Sequence, residues 1–297
     1  MPAHDSVRHS SMHDSHAPVP DSARRLALWA RASGIARAAL GPKLARLDVR
    51  YGAGANETLD VFPSATAGLA GAPGAPVLVF IHGGASLEVD KSDQSFLVPA
   101  FLRSGACVVV PNYASKPGSR KPPSSVPENV MQMVRALAWV WQHADKFGGD
   151  RNRITVVGHS AGGHLATMLL SCRWKQFAAH LPSVVVRNAL SISGLYDLVP
   201  LRRTTFLPSS PQLTTAQIRK ASPARLPAPV QRPLWAVVGE DEGQEYLQQT
   251  ALIRDAWGVE AVPFALALPD LNHYSILETL AEPGHALHGM ALSLLHD

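Results

Sequence analysis

Strands and helices alternate along this 297-residue chain, and its strands are continuous apolar runs rather than every-other-residue patterns. Those two observations predict an α/β fold, a mostly parallel eight-stranded sheet covered by helices on both faces, because only strands buried on both sides lose the polar alternation. A third observation sharpens the prediction. The apolar run Ile154-Thr155-Val156-Val157 leads into Gly158-His159-Ser160-Ala161-Gly162, and the helix-forming run Leu165–Leu170 follows. Strand, G-x-S-x-G turn and helix in that order are the setting of a nucleophile elbow, a strained turn that projects a serine hydroxyl from the end of a sheet.

The elements follow from residue patterns. Residues 1–20, with His4, His9, His13 and His16 among Ser, Asp and Pro, read as a disordered leader. Residues 21–297 read as one domain, a size common for this fold class. Leu26 to Leu40 has helical apolar spacing interleaved with Arg24, Arg25, Arg31 and Arg37, which predicts a surface helix packed on the domain. Leu47–Tyr51 and Thr58–Phe62 flank the turn Gly52-Ala53-Gly54 as a strand pair, and Ala65–Pro76 is a Gly/Ala/Pro loop. Val77–Ile81 and Ala106–Val110 are buried strands around a helix at Ser95–Arg103. Pro127–Phe147 is a long helix with Val130, Val134, Leu137 and Val140 on one face. Strands at Ala189–Ile192, Leu234–Val238 and Val262–Leu266 complete the sheet, with a helix at Gln244–Trp257 between the last two. The stretch Tyr196–Pro229, rich in Pro, Ser, Thr and Arg, breaks the rhythm with one short helix near Thr215–Lys220; an excursion of that kind between core strands is usually a cap or binding loop.

Composition narrows the function. A hydrophobic fraction of 46% supplies a sizeable core, and a net charge of +4 without a dense Lys/Arg run argues against nucleic acid as a partner. No apolar run is long enough to span a bilayer, and the polar N-terminal residues lack a secretory core, so no membrane association and a cytoplasmic location are expected. Cys107 and Cys172 are expected to stay unpaired. His285 and His288 share a predicted terminal helix but have no third ligand near them, so neither metal nor cofactor is expected.

The chemistry lies at strand ends. A serine hydroxyl becomes a nucleophile when a base removes its proton, and the base needs an acid that fixes its tautomer. On this kind of sheet the chain order is serine, acid, histidine. After Leu234–Val238 comes Gly239-Glu240-Asp241-Glu242, and after Val262–Leu266 comes Leu271-Asn272-His273. His273 is therefore the candidate base, and Asp241 or Glu242 the candidate acid. His82-Gly83-Gly84 follows Val77–Ile81, where backbone N–H groups of Gly83 and Gly84 would join that of Ala161 in an oxyanion hole. His82 itself reads as a structural hydrogen-bonding residue, and His159 and His164 as residues that flank the elbow.

These stretches resemble the α/β-hydrolase fold in its HGG-type esterase branch, and within it the kynurenine formamidase (arylformamidase) group and its bacterial carboxylesterase relatives. The resemblance rests on His82-Gly83-Gly84 with Asp90-Lys91-Ser92-Asp93 and Ser95-Phe96, on Asn112-Tyr113, on Gly158–Leu165, on Ser193–Leu201 with Ser222-Pro223, and on Leu271-Asn272-His273-Tyr274-Ser275. It covers residues 47–296. The group's acid stands three residues after a glycine, which the resemblance transfers to Glu242 after Gly239. It implies a serine hydrolase of carboxylic esters or an aryl formamide, with Ser160, Glu242 and His273 as the triad and a small molecule as partner. Kynurenine formamidases usually carry an aromatic pair after the two glycines where this chain has Ala85-Ser86, a departure that makes kynurenine formamidase proper the alternative reading rather than the first. A ligand-binding protein on the same scaffold would be marked by loss of the base or acid. The excursion around Leu195–Pro211 is expected to wall the pocket, with Tyr196, Phe206 and Tyr274 as wall residues.

Overall fold

The computed structural model describes residues 22–64, 74–84, 89–113, 124–203 and 213–297. The leader at 1–20 with its four histidines, most of the 65–76 loop, Ala85-Ser86 and Phe206 lie outside the described residues.

The chain opens with helix α1 (Ser22–Leu44), which packs Trp29, Ser33 and Ala36 inward and is broken at Gly41, where φ is 62°. Strands β1 (Arg46–Arg50) and β2 (Thr58–Phe62) form an antiparallel pair, and β3 (Ala75–Ile81) follows. The helix predicted at Ser95–Arg103 is two elements. A tight 3₁₀ run, Lys91–Leu97, is capped by Asp90 and Asp93, and α2 (Val98–Arg103) restarts with a proline in its first turn. Strand β4 (Cys107–Pro111) leads to α3 (Val126–His143), whose N-terminus is a reciprocal Ser125/Glu128 capping box. A 3₁₀ turn, Ala144–Phe147, then ends at Gly148 with φ 77°. Strand β5 (Gly149–His159) runs straight into α4 (Ala161–Leu170), followed by the one-turn α5 (Trp174–Phe177) and β6 (Asn188–Ile192). The short helix α6 (Thr215–Lys220), β7 (Leu234–Gly239) and α7 (Gln244–Trp257) stand where the residue patterns put them. Strand β8 is displaced from the apolar run Val262–Leu266 to Phe264–Leu268. Pro263 explains the shift: a proline cannot donate to a ladder, so pairing begins after it, while Val262 stays in the core. The chain closes with α8 (Ser275–Thr279) and α9 (Ala286–His296).

The described strands form one eight-stranded sheet in the order β1-β2-β4-β3-β5-β6-β7-β8. β2 runs antiparallel to β1 and β4, and the other pairs are parallel. Alternate residues of each central strand feed two cores, which is why the strands read as unbroken apolar runs. Val77, Val79 and Ile81 of β3 join Val156 of β5 and Leu137 and Leu169 of α3 and α4 on one face. Leu78 and Phe80 join Val157, Trp29 of α1, Phe101 of α2 and Leu287 and Leu294 of α9 on the other. At about 1.5–3 kcal/mol for each large side chain buried, these two layers are the main cohesive force of the fold.

Ion pairs tie α1 and the 3₁₀ run to the first strands. Arg37 pairs with the fully buried Asp60, and the buried Lys91 ammonium lies 3.0 Å from Asp60 and 2.6 Å from Asp48. Cys107 and Cys172 are both free. His285 and His288 do not converge on a ligand: His285 caps α9 by accepting from the Leu287 N–H, and the buried His288 bonds the Leu280 carbonyl at 2.8 Å. Among the described residues no helix is long and apolar enough to cross a membrane, and no group of three His, Cys, Asp or Glu side chains is arranged to hold a metal.

Candidate active site

Ser160 stands at the junction of β5 and α4 with φ 57° and ψ −119°, a conformation a non-glycine residue adopts only when its surroundings impose it. They do so through the backbone. The Ser160 N–H donates to the Ile192 carbonyl of β6 at 2.8 Å, and the Ser160 carbonyl accepts from the His164 N–H at 3.1 Å. The elbow also needs its glycines: a Cβ on Gly162 would lie 1.9 Å from the Ile81 carbonyl oxygen, and one on Gly158 2.1 Å from the Gly162 oxygen.

Glu242 and His273 come from the loops after β7 and β8, which the backbone pins together. The Glu240 N–H donates to the Leu268 carbonyl at 2.8 Å and the Asp241 N–H to the Leu271 carbonyl at 3.0 Å. Of the three adjacent acids, Glu240 and Asp241 face solvent and Glu242 turns inward, its side chain fully buried. Its Oε1 accepts from the Ser193 hydroxyl at 2.6 Å and the Gly239 N–H at 2.8 Å, and its Oε2 lies 2.6 Å from His273 Nδ1. A carboxylate so placed makes Nδ1 the donor and leaves Nε2 free to accept a proton.

His273 is held in a capped turn. Asn272 Oδ1 accepts from the N–H groups of Tyr274 and Ser275, both at 3.0 Å, and the Asn272 N–H donates to Ser275 Oγ at 2.9 Å. The Leu271–Ser275 motif is thus a device that fixes the imidazole at the start of α8. From the other side, His159 Nε2 donates to the His273 carbonyl at 2.8 Å, and the two rings lie 4.7 Å apart. His159 is buried, and desolvation, followed by the neighbouring imidazole, pushes its pKa well below the usual histidine value, so it stays neutral. The sequence treats it as a flanking residue, whereas it connects the elbow to the histidine loop.

Gly83 packs directly on the elbow: a Cβ there would come within 2.9 Å of both Ser160 Cβ and the His159 carbonyl oxygen. Gly84 follows with φ 75°. Ala161 is the first residue of α4, so its N–H has no partner within the helix. His82 is the structural residue expected. It is buried, its Nε2 lies 2.9 Å from Asn112 Oδ1 and its Nδ1 2.8 Å from the Gly83 carbonyl. Asn112 in turn donates to Asp90 at 2.7 Å, and the Tyr113 hydroxyl to the His82 carbonyl at 2.8 Å. The Asp90 and Asn112-Tyr113 motifs therefore serve to brace the loop that carries Gly83 and Gly84.

The expected wall residues are only partly where the sequence puts them. Tyr196 is fully buried in the core with its hydroxyl donating to Ser191 Oγ at 2.8 Å, so it cannot line a pocket. The excursion that begins there is tied down by the Asp197–Arg225 pair, at 2.8 and 2.6 Å, and by Gln249 Oε1, which accepts from the Tyr196 and Asp197 N–H groups. Tyr274 does stand beside the site, edge-on to His273 with centroids 5.7 Å apart. A residue that the sequence misses is Tyr246, in the first turn of α7. Its ring lies 4.5 Å from the His273 ring at 32°. Its position four residues after Glu242, at the start of the following helix, was the available signal.

The strand order, the antiparallel first strands, the elbow after β5 and the acid and histidine loops after β7 and β8 define the class: this is an α/β-hydrolase of the esterase and arylformamidase type. The sequence model of the BD-FAE family matches residues 65–228, more than half of the chain, and the chain belongs to that family. It is 27% identical over 258 residues to a kynurenine formamidase of Danio rerio, covering 84% of this chain and 81% of that protein. It is 35% identical over 124 residues to the esterase LipC of Mycobacterium tuberculosis, covering 41% of this chain and 30% of that one. Among solved structures, one from Silicibacter sp. described as a candidate thioesterase superposes with a TM-score of 0.78 at 25% identity, covering 97% and 99% of the two chains. A butyrate-bound esterase of Thermogutta terrifontis superposes with a TM-score of 0.63 at 20% identity, covering 84% and 91%.

Proposed function

We propose that residues 21–297 act as one catalytic domain that hydrolyses small carboxylic esters, or an aryl formamide, through an acyl-enzyme on Ser160. The single observation that carries the proposal is the buried carboxylate of Glu242 at 2.6 Å from His273 Nδ1, in a turn pinned to the loop that bears the histidine. A fully buried acid whose remaining oxygen is already held by two donors has one use for its free side, which is to orient an imidazole and stabilise its charge.

In the mechanism, Ser160 Oγ attacks the substrate carbonyl as its proton passes to His273 Nε2. Glu242 stabilises the imidazolium that forms. The N–H groups of Gly83, Gly84 and Ala161 donate to the oxyanion, and the last of these gains from the positive end of α4. His273 then gives its proton to the leaving group, and water, activated by the same imidazole, releases the acyl group. No cofactor or metal enters this chemistry. The two free cysteines are in keeping with a reducing compartment, and we place the reaction in the cytoplasm.

A second substrate, N-formylkynurenine, is favoured by the similarity to kynurenine formamidases over most of the chain. Against it stands Ala85-Ser86 in place of the aromatic pair. The test compares kcat/KM for p-nitrophenyl acetate, longer p-nitrophenyl esters and N-formylkynurenine. Preference for the acetate supports the ester proposal, preference for the formamide selects the second substrate, and inactivity on all of them with no fluorophosphonate adduct at Ser160 rejects hydrolysis.

A further inference from the structure

The two edges of the sheet are built differently. At one end, β1 carries Arg46, Asp48 and Arg50, and its register with β2 shifts between Arg46 and Val49, around Asp48 at φ 55°. Charges and an irregular register deter a second chain from pairing with an edge. At the other end, β8 has β7 on one side and, among the described residues, no strand on the other. The stretch Pro263-Phe264-Ala265-Leu266-Ala267-Leu268-Pro269 carries no charge, and Phe264 and Leu266 are 41% and 38% exposed. The Phe264 ring lies edge-on to Trp235 of β7 with centroids 4.5 Å apart, so the apolar surface reaches two strands deep. Such an edge presents unpaired N–H and C=O groups to any strand that matches it.

The order of its residues makes this strand match itself. Read from either end, the stretch is nearly the same about Leu266. In an antiparallel pair of two copies, a two-fold axis at Leu266 sets that residue opposite its own counterpart, Phe264 opposite Leu268 and Ala265 opposite Ala267. Side chains alternate between the faces of a strand. Large apolar groups therefore meet large apolar groups on one face, and alanine meets alanine on the other. The prolines, which cannot donate, close the ladder at both ends. We propose that β8 is a self-association edge, through which two copies of this chain pair antiparallel and join their sheets into one. The contact is isologous, so it closes at the dimer. It also steadies the strand that leads into the loop of His273. Five paired residues with their neighbours make an interface smaller than the roughly 800 Å² per partner of a tight complex, so dissociation in the micromolar range is expected.

The experiment is sedimentation velocity on the full chain from about 1 to 100 μM, the range that brackets such an interface. The wild type should move from the mass of one 31.8 kDa chain toward twice that mass as concentration rises. Leu266→Lys alters an exposed position, so the chain stays folded by circular dichroism, but it sets two ammonium groups face to face at the axis. Association should weaken by about 100-fold or more. A second measurement fixes the register and does not depend on that variant. In a Cys172→Ser background, Leu266→Cys brings two thiols together at the axis, and a short bismaleimide should join two chains through them. Leu28→Cys, on α1 and 51% exposed, should leave the chains unjoined. A folded Leu266→Lys that associates as tightly as the wild type, or failure of Leu266→Cys to cross-link, overturns the proposal. So does a wild type that sediments as a single chain throughout, and that result leaves the edge to an extended strand of a different protein. Hydrolysis and labelling of Ser160 are read separately, so this outcome and that of the catalytic proposal are independent.

Discussion

Replacing Glu242 by glutamine changes one atom of a side chain whose every partner is known, so its effect can be worked out before it is measured. Oε1 accepts two bonds, from the Ser193 hydroxyl at 2.6 Å and the Gly239 N–H at 2.8 Å, and Oε2 receives His273 Nδ1 at 2.6 Å. A glutamine must put its NH₂ group at one of these two positions. At the Oε1 position it would meet the Gly239 N–H donor to donor, leaving a buried N–H unpaired at a cost of about 1–3 kcal/mol. The amide nitrogen therefore turns toward His273, and Nδ1 must accept. The ring proton moves to Nε2, and the lone pair that takes the proton of Ser160 is lost. The expected fall in kcat/KM on p-nitrophenyl acetate is about 10⁴-fold, roughly 5 kcal/mol of transition-state stabilisation, with little change in thermal stability. Asp241→Asn alters an exposed side chain and should change kcat/KM by less than about threefold. Retention of more than a tenth of wild-type activity by Glu242→Gln, or a crippled Asp241→Asn, would refute the assignment of the acid.

Three further outcomes are expected. Ser193→Ala deletes a charge-assisted hydrogen bond to the buried Glu242 carboxylate, worth about 1.5–3 kcal/mol, and should lower both the urea midpoint and kcat, the latter by about tenfold or more. Gly83→Ala places a Cβ 2.9 Å from Ser160 Cβ and the His159 carbonyl, so the loop must retreat from the elbow; kcat should fall at least about tenfold while the melting temperature changes little, read by kinetics and calorimetry in parallel. Stability should fall on acidification below the ordinary histidine pKa. Burial lowers the His164 pKa to about 4, so between pH 6.5 and 4 the unfolded chain binds a proton that the folded chain refuses; the depressed value means stability is present above this window and lost as pH falls through it. The loss amounts to about 3 kcal/mol, and buried His159 adds to it in the same direction. Urea midpoints at pH 7 and pH 4 for wild type and His164→Gln measure it, and an equal drop in both proteins would contradict the assignment.

What the sequence discloses depends on the range over which the determinant acts. The elbow is legible because a strand, a tight turn and a helix are contiguous and its two glycines stand within five residues of each other in the chain, although Gly162 is required by a contact with the distant Ile81 carbonyl. The order of the loops that carry Ser160, Glu242 and His273 is legible because chain order mirrors sheet order across β5, β7 and β8. The acid is less so: Glu240, Asp241 and Glu242 share one charge and one turn, and only the pairing of that turn with Leu268 and Leu271 decides that the third faces inward. The composition of Tyr196–Pro229 identifies an excursion, but which of its side chains face a ligand depends on contacts with distant residues. Tyr196 goes to the core because Ser191 and Gln249 hold it there. The roles of Ser193, His159 and Tyr246 escape notice for the same reason: Ser193 reaches Glu242 across 49 residues, His159 the His273 carbonyl across 114, and the Tyr246 ring packs on that of His273 from another element. Apolar character alone puts β8 two residues too early, because Pro263 lies inside the apolar run and its missing N–H sets the start of the ladder at Phe264.

Intact-mass and peptide mapping after treatment with a fluorophosphonate tests most directly whether the hydroxyl on the elbow is the activated nucleophile. One phosphonyl group per chain on Ser160, absent in Ser160→Ala and slowed by orders of magnitude in Glu242→Gln, is the predicted result. An enzyme that hydrolyses esters while Ser160 remains unlabelled, or that labels as fast without the Glu242 carboxylate as with it, would contradict the account.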